Sequence, residues 1–332
     1  MTDAARRAAL PLLLIAVPVV GYLLVIAAYG VNTIVLDQWA DIAFLHKVYS
    51  GHAGFAAFWA PHNENRILVP DLIVLVLAYL THFNTVVEMY VSAAMLLLAT
   101  AVIVLTYCRR AAPVYRNLIW YFPVVALLWT LAQYYSALLG FQLAWYLALA
   151  LTALALAVLD RQTVGWAAVV LAVILGTLAS YSTLAGLLVW PAGLVLMLLR
   201  CRPWLHPLIW LASAVVVSVL YLRDLALGPP GTWAFDFHNP LLVVRFVLVE
   251  LGDVLGYPIP STGDPTTVTL LAIIGAVVLM FSIVAIWWAV RLRGEPGPAP
   301  FGAALVVVGL GFAVITAGGR TVFGVFVASG GS

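Results

Sequence analysis

Residues 267–290 read TVTLLAIIGAVVLMFSIVAIWWAV, a run without a single charged side chain. Because an α-helix needs about 20 mostly apolar residues to cross a bilayer, this run predicts a membrane-spanning helix. Similar runs recur along the chain: 65% of the residues are hydrophobic, only 8% are charged, and the mean hydropathy is +1.12. Soluble domains contain about 50% apolar residues, so the composition predicts a polytopic membrane protein instead.

Hydropathy predicts one all-α transmembrane domain, residues 1–332, with about nine spans. The spans lie near residues 8–30, 84–107, 118–136, 140–159, 164–180, 184–199, 207–223, 267–290 and 300–317. One further apolar stretch, residues 67–80, is shorter and contains Pro70 and Asp71. Counting it as a span would move the basic loop near Arg109 outside, against the positive-inside rule. We therefore predict an interfacial or re-entrant helix in the first external loop.

This arrangement sorts the basic residues by side. Ten lie on the predicted cytoplasmic side: Arg6, Arg7, Arg109, Arg110, Arg116, Arg161, Arg200, Arg202, Arg291 and Arg293. Five lie outside: Lys47, Arg66, Arg223, Arg245 and Arg320. The N-terminus is predicted to be cytoplasmic and the C-terminus external. High usage of Ala, Val and Leu, with more Arg than Lys, is typical of a GC-rich bacterial genome, so the predicted location is the bacterial inner (plasma) membrane.

Both long loops, about 31–83 and 224–266, are predicted to be external, and most acidic residues lie on the same side. Long loops in compact domains often carry function, so the working face is predicted to be extracytoplasmic. The two cysteines, Cys108 and Cys201, lie beside arginines at helix ends, which favours neither a disulfide nor a metal framework.

The first external loop opens with Asp37-Gln38-Trp39-Ala40-Asp41. If this segment is helical, Asp37 and Asp41 share one face because they are four residues apart. Two carboxylates in a partly dry site raise the pKa of one of them, which suits a catalytic base that takes a proton from a hydroxyl with the help of a supporting carboxylate. The structural alternative is that Asp37 caps a helix and Trp39 anchors it at the membrane interface.

A second polar cluster, His62-Asn63-Glu64-Asn65-Arg66, ends the same loop. Arginine can hold a phosphate through two parallel hydrogen bonds, so Arg66 is predicted to bind an anionic group. His62, Asn63 and Glu64, together with Trp39 of the first cluster, are predicted to bind substrate. The alternative is a solvated loop in which Arg66 reaches toward lipid headgroups. The His62-x-Glu64 pair could also ligate a divalent metal, but the sequence offers no obvious third ligand.

Further candidates lie where other helices break. Tyr134 and Gln142 could stack on and hydrogen-bond a sugar, although aromatic residues are also common at membrane interfaces. Arg320, after Gly318-Gly319, could hold a second anionic group or simply flank the last helix. Glu88 and Asp71 are expected to pair with Arg66 or with each other, because unpaired charges near hydrocarbon are costly.

The order of these features resembles the polytopic GT-C-type glycosyltransferases. The resemblance rests on an Asp37-x-Trp39 opening, on the His62-to-Arg66 cluster, and more loosely on Gly140-Phe141-Gln142. The chain is similar to bacterial membrane proteins in which the corresponding motif reads His-Asn-Glu-His-Arg. In this chain Asn65 takes the place of the second histidine.

The resemblance implies a transferase that takes a sugar from a polyprenyl-phosphate donor to an acceptor hydroxyl of a glycan, lipid or protein in the cell envelope. Asp37 would be the base and Asp41 its support, and the reaction would invert the anomeric carbon. Arg66, helped by Arg320 or Arg245, would hold the donor phosphate. No cofactor, metal or nucleic acid is predicted to take part.

Two other classes stay open. A secondary transporter or flippase would need ionisable residues inside the membrane or paired repeats, and the predicted helix interiors contain almost no charges. A non-catalytic, lipid-binding membrane subunit would share the same composition and topology.

Overall fold

A computed structural model describes residues 3–63, 65–225, 240–254 and 264–320, without the side chains of residues 3–10, 115, 116 and 133. Within these ranges the regular elements are helical, and the one β-bridge pairs His62 with Asn65. The helices are α1 (Asp3–Tyr29), α2 (Gln38–Tyr49), α3 (Phe55–Trp59), α4 (Leu68–Thr81), α5 (Thr85–Arg110), α6 (Phe122–Leu128), α7 (Tyr134–Ala137), α8 (Leu143–Leu159), α9 (Trp166–Ser180), α10 (Val189–Leu199), α11 (Leu205–Leu222), α12 (Pro240–Gly252), α13 (Pro265–Arg291) and α14 (Ala299–Arg320).

Six of the described helices are long and apolar enough to cross a membrane. They are Pro11–Tyr29, Thr85–Arg110, Gly140–Leu159, Leu205–Leu222, Pro265–Arg291 and Ala299–Arg320. The chain is therefore a multi-pass, all-helical membrane protein. The predicted number of nine spans depends on three shorter apolar segments, 118–136, 164–180 and 184–199.

The predicted span 118–136 is not one continuous helix. A 3-10 turn at Leu118–Tyr121 leads into α6, which ends at Leu128, and α7 begins only at Tyr134. At this break the indole of Trp129 is buried and donates to the Thr100 hydroxyl over 3.0 Å. The break therefore lies against α5, and the polar group of the Trp129 ring is paired there.

Helix α4 contains the predicted interfacial segment. Its 14 residues span about 21 Å, short of the roughly 30 Å hydrocarbon core. One face is buried through Asp71, Val74 and Ala78, whereas the opposite face exposes the apolar side chains of Val76 and Tyr79. An apolar exposed face suits contact with lipid, but the depth of α4 in the membrane stays a prediction.

The core is built around α8, whose span is 67% buried within the bundle. Its alanines, including Ala150, Ala153 and Ala155, are buried, and small residues let neighbouring membrane helices approach closely. The α13 helix lies at the periphery instead. Its outward side chains are large and apolar: Leu270, Ile273, Val277, Met280, Phe281 and Val284 are all exposed. Such a surface is expected to face lipid rather than water.

The second long loop, predicted at 224–266, contains a helix. Residues 240–252 form α12, which packs on α13 where Gly252 and Gly275 meet. A Cβ on either glycine would collide with the backbone of the other helix, so only glycine permits this contact. The rest of the loop, apart from its ends, lies outside the described residues.

The bundle has two chemically different ends. We call the end that carries Asp37, Asp41 and Glu88 the acidic end, and the end that carries Arg110 and Arg200 the basic end. Glu88 and Arg110 mark the two ends of α5, which at 1.5 Å per residue separates them by about 33 Å. The loop at residues 31–83 and the chain breaks before α8 and α10 lie at the acidic end.

Candidate active site

The first polar cluster forms the start of α2. Asp37 occupies the N-cap position, but its side chain makes no capping hydrogen bond. Its side chain is 53% exposed, whereas Asp41, one turn later, is only 4% exposed. Trp39 is 61% exposed, as expected for a residue at a membrane interface. One helical turn therefore presents one carboxylate outward and buries the other.

The second polar cluster is folded into a tight turn beside Asp37. His62 and Asn65 exchange two backbone hydrogen bonds of 2.7 and 2.9 Å, and Asn63 between them has a φ of +51°. Asn tolerates this left-handed conformation better than most residues. The turn places His62 Nε2 3.9 Å from Asp37 Oδ2, with the His62 ring 4.9 Å from the ring of Phe141. Glu64 lies outside the described residues.

Two buried acidic residues, Asp41 and Glu88, lie behind Asp37. Glu88, at the start of α5, accepts a 3.0 Å hydrogen bond from the Gln38 amide. The other Glu88 oxygen, Oε1, and Asp41 Oδ2 are buried with no hydrogen-bond partner among the described residues. Burial, together with the smaller effect of the charges of Glu88, Asp71 and Asp37, raises the pKa of Asp41 to about 8. Asp41 is therefore predominantly protonated at neutral pH, which lowers the repulsion on its charged neighbours.

Gly140 packs directly against the contact between Gln38 and Glu88. A Cβ at Gly140 would lie 2.5 Å from Glu88 Oε2 and 2.8 Å from Gln38 Nε2. The Gly140 carbonyl also accepts a hydrogen bond from Ser92, one turn after Glu88 on α5. The first turn before α8 thus rests directly on the carboxamide–carboxylate contact that supports α2.

Arg66 is a buried connector. It is 2% exposed, and its guanidinium donates to the backbone carbonyls of Trp59, Tyr221 and Arg223, with the Tyr221 bond at 2.6 Å. Its carbon Cζ lies 4.9 Å from the Trp59 ring centroid. These bonds tie the 62–65 turn to the end of α11. The expected ion pair of Glu88 or Asp71 with Arg66 is not formed, because the carbonyls take these donors and Glu88 pairs with Gln38. The predicted phosphate contact of Arg66 stays a prediction, and it would have to use the remaining N–H groups.

The other candidate residues are spread around the acidic end. Asn65 accepts from the Thr183 hydroxyl and the Leu184 amide at 2.8 and 2.9 Å, which holds the turn against the start of α10. Tyr134 is exposed, and Gln142 is half-buried at the N-cap of α8. Arg245 and Arg320 are exposed on α12 and α14. No described contact joins either arginine to Asp37.

Sequence reasoning missed Gln38 and Gly140 as parts of the site. Gln38 lies between Asp37 and Trp39, and its role follows only from its contact with Glu88, fifty positions away. Gly140 was noted only as part of a motif. Neither residue carries a periodic or charge signal that would have singled it out.

Chemically, the site offers one exposed carboxylate, one adjacent imidazole and a buried, mostly protonated carboxyl behind them. This arrangement can accept a proton from a bound hydroxyl at the surface of the bundle. No three His, Cys, Asp or Glu side chains converge on a possible metal position within the described part of the chain. Comparison of the chain with protein-family models, with curated proteins and with solved structures found no match in any of the three.

Proposed function

We propose that this protein is a membrane glycosyltransferase of the GT-C type. It moves a sugar from a polyprenyl-phosphate donor to an acceptor hydroxyl at the extracytoplasmic face. The observation that carries the proposal is the pairing of exposed Asp37 with His62 over buried Asp41. An exposed base at the end of an apolar bundle is where a lipid-borne donor and a polar acceptor can meet.

In the proposed reaction, Asp37 takes the proton of the acceptor hydroxyl. The acceptor oxygen attacks the anomeric carbon, and the bond from that carbon to the phosphate oxygen breaks with inversion. The polyprenyl phosphate leaves with the electron pair, so its charge needs stabilisation by cations rather than by an acid. Arg245 and Arg320 are exposed and are the candidates for this task, with Arg66 limited by its three carbonyl bonds.

Asp41 supports this role for Asp37 through its protonation. A neutral Asp41 beside Asp37 avoids a second full negative charge in the same turn. His62 lies within ion-pair distance of Asp37 and next to Phe141, so it can steer the carboxylate and line the acceptor position. The exposed ring of Tyr134 is the candidate for sugar stacking.

The test uses membranes that contain the overproduced full chain. They are incubated with polyprenyl-phosphate-linked hexoses and pentoses labelled in the sugar, and loss of label from the lipid is measured. Because a positioned base contributes roughly 10²–10⁴-fold, Asp37→Asn should lower the rate by that factor. Asp41→Asn should lower it less, and Asp224→Asn, at an exposed carboxylate of the same end, should leave it unchanged.

Each outcome decides between functional classes. Full activity in both Asp37→Asn and Asp41→Asn would place the base elsewhere and overturn the mechanism. Donor lipid that crosses the membrane with its sugar still attached would identify a flippase. Donor binding without any loss of label would indicate a non-catalytic lipid-binding subunit.

A further inference from the structure

The basic end is held together by one carboxylate. Asp160, 2% exposed, accepts two hydrogen bonds from Arg200 at 2.8 and 2.6 Å and forms an ion pair with Arg110 at 3.2 Å. Arg200 also donates to the carbonyls of Glu295 and Gly297. The ends of α5, α8 and α10 and the turn between α13 and α14 therefore meet at this point.

Positive charge exceeds negative charge at this junction. The described arginine side chains here are Arg109, Arg110, Arg161, Arg200, Arg202, Arg291 and Arg293, and the described carboxylates are Asp160 and Glu295. Seven cations against two anions leave a surplus of five positive charges. Binding of a further anion would reduce the electrostatic repulsion among these arginines.

Arg202 has one buried donor without a partner among the described residues. Its terminal nitrogens donate to the carbonyls of Leu159, Arg161 and Gln162, but Nε is buried without a hydrogen-bond partner among the described residues. Burial lowers the pKa of Arg202, the charge of Arg200 lowers it further, and the charge of Asp160 offsets only part of this shift. An anion beside Arg202 would offset both effects.

Exposed tryptophans surround this junction at the same level. Trp166 begins α9 and Trp204 precedes α11, with 51% and 71% of their surfaces exposed. The Trp166 ring packs 4.7 Å from the His206 ring, which holds the 160–165 turn against the start of α11. Tryptophan collects at the depth of lipid headgroups, so Arg161 and Arg202 lie at headgroup depth as well.

An apolar surface continues from these tryptophans into the predicted hydrocarbon region. Val170 and Ile174 on α9 and Leu208 and Leu211 on α11 are exposed, and the two helices pack side by side. A phosphate at the end of this surface would be followed by room for acyl chains. A free inorganic anion would occupy only the phosphate position and would leave the apolar surface uncovered.

We propose that the turns at residues 160–165 and 200–204 bind the headgroup phosphate of an anionic phospholipid. The exposed Arg161 contacts the phosphate, Arg202 adds its positive charge beside it, Trp166 and Trp204 flank it, and the acyl chains lie along α9 and α11. This site is separate from the acidic end by roughly the length of α5, about 33 Å, and it holds whether or not the chain is a transferase.

The experiment measures lipid retention by the purified full-length protein in detergent. Phosphatidylglycerol and phosphatidylcholine are titrated separately, and bound lipid is counted by native mass spectrometry. The wild-type protein should retain phosphatidylglycerol at least about tenfold more tightly than phosphatidylcholine. Because one arginine near an anionic surface contributes about fivefold in affinity, Arg161→Gln and Arg202→Gln should each weaken phosphatidylglycerol binding by about that factor.

A control variant and three possible outcomes make the test decisive. Arg223→Gln removes an exposed arginine at the acidic end and should retain phosphatidylglycerol like wild type. Arg161 is exposed, so Arg161→Gln decides the question even if Arg202→Gln does not fold. Equal retention of the two lipids, an equal loss in Arg223→Gln, or displacement of the lipid by equimolar inorganic phosphate would each overturn the proposal.

Discussion

Asp37 and Asp41 lie one helical turn apart, and the bundle gives them opposite environments. Asp37 faces outward near His62, whereas Asp41 is buried near Glu88. The difference arises because α2 lies over the start of α5, where Gln38 reaches Glu88. The pair can therefore divide the roles of proton acceptor and supporting acid, because burial raises the pKa of Asp41.

The raised pKa of Asp41 predicts a specific dependence of stability on pH. In the unfolded chain this carboxyl ionises near pH 4, whereas in the folded protein it keeps its proton up to a pKa of about 8. The folded state thus binds one more proton between about pH 4 and 8. The stabilisation is complete below that window and is lost as the pH rises through it, by up to about 1.4 kcal/mol per pH unit.

Thermal unfolding in detergent at pH 6, 7 and 8 checks this. Asp41→Asn carries a neutral isostere of the protonated acid, so its melting temperature should fall less than that of wild type between pH 6 and 8. Asp224→Asn, at an exposed carboxylate, should follow wild type. Parallel pH profiles for wild type and Asp41→Asn would mean that Asp41 is ionised in the folded protein.

Arg66 gives a second prediction at the residue scale. Its guanidinium group donates to three backbone carbonyls, and a lysine ammonium cannot reach three fixed acceptors in that geometry. Each buried carbonyl left without a donor costs about 1–3 kcal/mol. We expect Arg66→Lys to lower the melting temperature and Arg66→Ala to lower it further, whereas Arg223→Lys, at an exposed arginine, should not.

Donor binding by the same variants separates the two roles of Arg66. A connector alone predicts that affinity for a polyprenyl-phosphate sugar falls only together with stability. If Arg66→Lys melts like wild type but loses donor affinity, then Arg66 binds the phosphate and its carbonyl bonds are dispensable.

At the scale of elements, the contact of α5 with the turn before α8 shapes the site. Gly140 allows that turn to approach Glu88 and Gln38 more closely than any side chain would permit. The N-terminal turns of α2, α5 and α8 converge there, so a displacement of one element moves the others. Packed interiors transmit such displacements because they contain few voids.

Gly140→Ala tests this contact. The added Cβ would push Glu88 and Gln38 apart, and overpacking of this kind costs about 1–3 kcal/mol. Transfer activity should also fall, since the support of Asp37 shifts. Gly21→Ala is the matched control, because a Cβ at Gly21 in α1 meets no atom within 4 Å. If both variants unfold at the wild-type temperature, the close approach at Gly140 does not constrain the site.

At the scale of the whole molecule, charge divides the bundle along its length. Carboxylates collect at one end and arginines at the other, and exposed aromatic rings lie at both, such as Trp39 at the acidic end and Trp204 at the basic end. The positive-inside rule orients such a molecule with its basic end in the cytoplasm. The proposed lipid site would then face the inner leaflet and the proposed active site the outside.

Cysteine labelling tests this orientation. In a background with Cys108 and Cys201 replaced by serine, Val114→Cys introduces a thiol at an exposed position of the basic end. An impermeant reagent should label it only after the membrane is opened. Ser50→Cys, exposed at the acidic end, should react in intact cells. Labelling of Val114→Cys in intact cells would reverse the orientation and remove the positive-inside argument for a re-entrant α4.

The sequence by itself determined the class of this protein, because hydropathy is a sum over neighbouring residues and needs no tertiary contact. The all-helical fold and membrane spans such as 267–290 follow from it directly. The polar clusters at residues 37–41 and 62–66 were also visible, because charge is rare in this chain.

The tertiary structure alone decided that Asp41 is buried while Asp37 is exposed, that Arg66 binds carbonyls, and that Gly140 completes the acidic end. These facts depend on contacts between residues 50 to 160 positions apart, such as Gln38 with Glu88 and Arg66 with Tyr221. Local pattern cannot encode which distant backbone will satisfy a buried donor.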